Sequence, residues 1–285
     1  MIRNRKIQLA LCAVALVLMI FQGLLIVVAA PEGYYLIHDW IFYGINYVVI
    51  MILLLLYSKN RYVRWAQWII GLILLVSNTT FFYYMGTANV VVSTSPDCQH
   101  EVILKEYQNM TNETIRLKRR AFFFGKKVAT LRGSSTYKAL EENTYKIEWS
   151  HEDAAIVTYQ ANANGTLQQS IFNFRNSNYS SYQYVAVSLS GKWVEQDNPQ
   201  NYILYKQHEI IYAKDGQLYY YEYDDTEQHG IFSIVITGDE KKSSFTVLLN
   251  ANARFDENGM IMDGGTITIA PVTLKEIEGK VYYKE

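Results

Sequence analysis

Residues Glu209 to Tyr223 read EIIYAKDGQLYYYEY. Runs rich in β-branched and aromatic residues flank Asp215-Gly216, and such a pair closes an antiparallel hairpin because both turn positions need positive φ. The period of two places Tyr219, Tyr221 and Tyr223 on one strand face. The same grammar recurs on either side. Tyr145, Ile147 and Trp149 alternate with Lys146 and Glu148, and Phe245, Val247, Leu249, Ala251 and Ala253 alternate with Thr246, Leu248, Asn250 and Asn252. Asn164-Gly165 and Asn258-Gly259 repeat the turn, and Glu278-Gly279 does so more weakly. No helical period is sustained past Asn89, so this part of the chain is expected to be antiparallel and nearly all β, as sandwiches or small barrels.

A polar stretch, FRNSNYSSY from Phe174 to Tyr182, interrupts the strands and marks a boundary between two tandem modules, 89–175 and 182–285. The first module contains SPDCQHEVILKEY, LKRRAFFFGKK and YKIEWSHEDAAIVTY. It resembles uncharacterised membrane-anchored ectodomain proteins of Gram-positive type. In these a Ser-Pro-Asp turn opens the outer domain, an aromatic-and-Lys segment follows, and a strand ending in Trp leads into an acidic turn. The resemblance spans Ser95 to Tyr159 and implies no biochemical role; where those sequences carry Gly after Ser-Pro-Asp, this chain has Cys98. The second module opens Leu189-Ser-Gly191-Lys-Trp193, and this Gly-x-Trp resembles the start of lipocalin-like barrels. The resemblance implies a Trp193 that plugs one barrel end. A generic sandwich or small barrel is the alternative.

The first 86 residues have a different character. Gln8–Ala30 runs 23 residues without a charge, Leu36–Tyr57 gives 22 with one acid, Asp39, and Ala66–Gly86 gives 21 with none. A helix rises about 1.5 Å per residue, so each run spans a bilayer core of about 30 Å. Three transmembrane helices, 8–30, 36–57 and 66–86, are expected within a membrane domain of residues 1–86. A cleaved signal peptide is the rival reading of the first run, but the run exceeds a signal h-region and Pro31 would follow the cut. Arg3, Arg5 and Lys6 precede the first helix and Lys59, Arg61 and Arg64 follow the second, whereas the Pro31–Tyr35 loop has no base. Basic residues resist translocation. The N-terminus and the YSKNRYVRW turn are therefore expected in the cytoplasm, and everything after about Thr87 outside a plasma membrane. From Thr87 on, the chain is expected to fold without the helices. Cys98 has no intrachain partner there, since Cys12 lies toward the opposite face.

Six of the 26 basic residues and two of the 27 acids precede Thr87, which leaves 20 against 25 outside. Nucleic acid is thereby disfavoured as a partner. His38 and Asp39 read as interfacial polar groups at a helix end, and Ser77-Asn78-Thr79-Thr80 as helix-packing residues. The remaining histidines lack metal-ligand spacing, and no nucleophile-elbow, phosphate-loop or zinc-protease motif occurs. No catalytic residue, metal or cofactor is assigned. Of 285 residues 24 are Tyr. An exposed row of Tyr219, Tyr221 and Tyr223, with Trp193, forms the candidate ligand surface, for instance for cell-wall sugars. Aromatic pairing within the sheet is the plainer account. The leading expectation is a non-enzymatic bacterial membrane protein whose β ectodomain serves binding, sensing or envelope assembly. Its partners are the lipid bilayer and a cell-wall polymer or another envelope protein. A small-ligand carrier or envelope enzyme built on the distal barrel is the alternative.

Overall fold

A computed structural model describes residues 2–109, 113–133, 137–175, 184–206 and 208–285. The chain divides into two compact units, Met1–Val92 with Val102–Asn143, and Ser93–Glu101 with Thr144–Glu285. This division runs through the expected 89–175 module. The expected boundary at Phe174 to Tyr182 lies mostly outside the described residues.

The first unit begins with apolar helices. Helix α1 (Arg5–Leu24) is capped by Asn4, whose side chain accepts from the Lys6 N–H, and continues through a π turn to Ala29. Helix α2 spans Trp40–Leu55, and α3 (Arg61–Phe81), capped by Asn60, continues through a second π turn to Gly86. Arg5–Ala29 and Arg61–Gly86, at 25 and 26 residues, are long and apolar enough to cross a membrane. Among the described residues two helices thus meet that requirement, not the three expected. The helix expected over 36–57 has only 16 residues, Trp40–Leu55, because Leu36 joins Tyr34 and Tyr35 in a strand and the helix begins only after Asp39.

Polar contacts tie the helices together. Asn46 Nδ2 donates to Asn78 Oδ1 at 2.8 Å, and the Tyr47 hydroxyl lies 2.9 Å from Thr79 Oγ1, which is the packing role expected of the Ser77–Thr80 segment. At one end Ile2 bridges Leu56, and Gln8 Nε2 donates to Ile2 O and Tyr57 O at 2.7 and 3.2 Å. The two segments carrying the six bases therefore meet there.

At the other end β1 (Tyr34–Leu36) pairs with β5 (Phe124–Thr130) in a five-stranded antiparallel sheet of order β1-β5-β4-β3-β2, where β2 is Ala88–Thr94, β3 Glu101–Tyr107 and β4 Thr114–Ala121. Ile37, Ile103, Ile115 and Leu117 form its core. Beside them Lys105 and Glu106 are wholly buried. Burial of charge demands partners, and both have them. Lys105 Nζ donates to Leu36 O at 2.8 Å, meets Asp39 Oδ2 at 2.7 Å and lies 4.8 Å from the Tyr107 ring centre. Burial pushes the Lys105 ammonium below its usual range, and the Asp39 carboxylate opposes that shift. Glu106 accepts from Thr114 Oγ1 and from the Leu140 and Glu141 N–H groups at 2.8, 3.2 and 3.0 Å. Asp39 occupies the N-cap position of α2, yet its side chain makes no capping bond and serves Lys105 instead.

The second unit holds two sheets. Strands β6 (Tyr145–Ser150), β7 (Ala154–Gln160) and β8 (Leu167–Asn173) form a three-stranded antiparallel meander. The other sheet comprises β9 (Gly191–Glu195), β10 (Tyr202–Tyr205), β11 (Glu209–Lys214), β12 (Gln217–Glu222), β13 (Thr226–Gln228), β14 (Ser233–Ile236), β15 (Phe245–Leu249), β16 (Thr266–Pro271) and β17 (Lys280–Lys284). Its order is β12-β11-β10-β9-β17-β16-β15-β14-β13. Sequential strands are neighbours, and β17 closes on β9 with Tyr282 opposite Glu195 and Lys284 opposite Trp193. The result is a nearly closed up-and-down barrel with a seam between β12 and β13, which a 3-10 turn (Tyr223–Asp225) connects.

Asp215 and Gly216, at φ 53° and 79°, make the expected two-residue turn between β11 and β12. Cys98 adopts φ 59°, so the position where the resembling sequences carry Gly is left-handed here. Strand β15 stops at Leu249, short of the alternation expected to Ala253, and is buried on both faces. Phe245, Val247 and Leu249 face the barrel core, whereas Thr246 bonds to Gln169 of β8. Gly279 N–H donates to Glu148 Oε1 at 2.7 Å, and Lys146 Nζ donates to Ile277 O at 2.8 Å. Strands β6 to β8, expected with the proximal module, therefore pack on the barrel.

Candidate ligand cavity

Alternation along the barrel strands sorts the inward side chains into layers. Trp193 is fully buried and its indole N–H donates to Leu189 O at 2.7 Å, just after a one-turn helix α4 (Val185–Ser188). Val185, Leu189, Trp193, Ile203, Ile234 and Ile267 belong to the core that fills this end. Two residues further along β9, Glu195 is inward as well, and there the core gives way to a cavity of about 490 Å³. Tyr212, Tyr221, Phe245 and Tyr282 line it, with exposed Lys214 and Gln217 among its remaining walls. The Tyr212 and Phe245 ring centres are 4.7 Å apart, and Tyr221 meets Phe245 edge-on at 5.3 Å.

One polar chain runs through the lining. Asn201 Nδ2 and the Tyr282 hydroxyl donate to Glu195 Oε2 at 2.8 and 3.2 Å. The Tyr212 and Tyr282 hydroxyls are 3.3 Å apart. An ionised carboxylate only accepts, so with Tyr282 donating to it, Tyr212 donates to Tyr282. Asn201 Oδ1 in turn accepts from the Asp215 N–H at 2.9 Å, which ties the network to the hairpin turn. The hydroxyls remain protonated donors at neutral pH: burial pushes Tyr212 up to about 12 and raises Tyr221 and Tyr282 further.

The predicted ligand residues are divided by the fold. Tyr219 and Tyr221 line the cavity. Tyr223 leaves their row because β12 ends at Glu222; its hydroxyl donates to Ala186 O at 3.1 Å, beside α4. Trp193 seals the closed end and is absent from the cavity lining. Leu218, Tyr220 and Glu222 form the solvent-facing side of β12, whereas Tyr221 is buried, so the row is not an exposed stacking face. Sequence reasoning missed Glu195, Asn201, Tyr212, Phe245 and Tyr282. A signal for Glu195 was present: it lies two residues from Trp193 and therefore shares its face.

No protein-family profile matches this chain, and neither the curated proteins nor the solved structures contain a match.

Proposed function

We propose that the chain is a bacterial plasma-membrane binding protein, anchored by its apolar helices, whose extracytoplasmic barrel receives a small ligand. The observation that carries this reading is the cavity of about 490 Å³ in a barrel whose other end is filled by Trp193 and its neighbours. Small-molecule sites are typically concavities of about 300–1,000 Å³ with apolar walls and a few convergent polar groups. The Gly191-x-Trp193 opening, the helical turn before it and the up-and-down strand order support a lipocalin-like reading of the barrel.

Anchoring is supported by the two helices of sufficient length, and sidedness by the gathering of all six bases at one helix end with β1 and its sheet at the other. Binding is favoured over acid–base catalysis because Glu195 is the one buried acid in the lining among the described residues.

The test uses full-length protein in detergent micelles, screened by thermal shift against a small-molecule library. Compounds of one chemical class should raise the melting temperature. Gln217→Trp, at an exposed position of the lining, should abolish the shift by filling the cavity without disturbing the core. Shifts that survive this plug, or a folded protein that responds to no compound, would sink the receptor reading.

A further inference from the structure

We infer, resting on that receptor reading, that the ligand carries an organic ammonium group seated against Glu195 and the rings of Tyr212, Phe245 and Tyr282. Glu195 is buried to 7 % exposure, and among the described residues no basic side chain pairs with it. Both of its hydrogen bonds fall on Oε2. A carboxylate has about four acceptor sites, and a buried charge left without a counter-charge is unfavourable. Oε1 is the unused acceptor of the network.

The other buried polar groups of the lining are already engaged. The Asn201 amide serves Glu195 and the Asp215 N–H, the Tyr212 and Tyr282 hydroxyls serve the chain that ends on Glu195, and the Tyr221 hydroxyl donates to Ser243 O at 2.7 Å. A neutral sugar or polyol, which needs donors and acceptors together, finds few free partners among these buried groups. A head group that only donates, and that carries positive charge, matches the free Oε1 of buried Glu195. Aromatic walls favour the same ligand, because the electron-rich face of a ring attracts a cation once water is excluded. The lining's remaining charges balance: Lys214 and Lys280 stand with Asp215 and Glu278, all exposed. The charge of Glu195 is therefore the uncompensated one.

Isothermal titration of full-length protein in micelles with choline, butylammonium and the neutral choline isostere 3,3-dimethylbutan-1-ol tests this. Choline or butylammonium should bind at least about tenfold more tightly than the isostere, as expected of a desolvated cation contact. Glu195→Gln, its folding checked by melting temperature, should erase that preference, and Gln217→Trp should abolish binding. Should Glu195→Gln fail to fold, the wild-type preference decides. Equal binding of the isostere overturns the proposal, as does a preference that persists in Glu195→Gln. If neutral or anionic compounds bind at the Gln217-sensitive site while no ammonium does, the receptor stands and the ammonium class falls. If nothing binds, both fall.

Discussion

Trp193 and Glu195 sit two residues apart on one strand and face one interior, yet the first seals it and the second furnishes it. Burial explains the difference in what surrounds them: the indole needs one acceptor, which Leu189 O supplies, whereas the carboxylate recruits Asn201 and two tyrosines. The tyrosines make the barrel sensitive to alkali. Burial raises Tyr205, Tyr212, Tyr221 and Tyr282 above the ordinary value of 10.0. The unfolded chain therefore loses these protons first, so their contribution is fully present below about pH 10 and declines as pH rises from there through about 12. The melting temperature should be flat from neutral pH to about 9.5 and fall above 10, with phenolate absorbance appearing in step with unfolding. Ionisation of all tyrosines while the barrel stays folded would contradict this. Of the cavity residues, Tyr219 and Tyr221 were legible because the Asp215-Gly216 turn fixes their register. Tyr282 was not, since its place depends on β17 closing onto β9 from the far end of the chain.

At the scale of elements, local pattern was informative wherever partners are close in sequence. The hairpin of β11 and β12 and the meander of β6 to β8 follow from turn residues and alternation. The α2 boundary did not, because Leu36 and Ile37 are as apolar as the helix they adjoin and the strand partner of Leu36, Phe124, lies far downstream. The helices make a test of sidedness direct. In a Cys12→Ser background, a membrane-impermeant maleimide should label exposed Cys98 in intact protoplasts. In a further Cys98→Ser background, Ser58→Cys, in the base-bearing connection, should label only after the membrane is opened. Labelling of Ser58→Cys from outside would reverse the orientation and remove the barrel from the outer face.

For the molecule as a whole, the expectation that everything after Thr87 folds alone needs revision. Strand β1 and Asp39 come from the connection between α1 and α2, so cutting at Thr87 bares the edge of β5 and strips wholly buried Lys105 of its counter-ion. Removing one partner of a buried ion pair costs about 3–5 kcal/mol. A fragment of residues 144–285 should fold as a protease-resistant β unit, whereas in a fragment of residues 87–285 the stretch 102–143 should be cut readily. Protection of that stretch equal to the full-length protein would show that β1 and Asp39 are dispensable. The same stitching has a mechanical meaning. The five-stranded sheet is joined to the helices covalently after Gly86, and also through the three β1–β5 pairings with the Lys105–Asp39 contact and the edge-on approach of Phe21 to Phe124. A tug on this sheet is shared among three helices, and those pairings must shear before the load hangs on a single peptide thread.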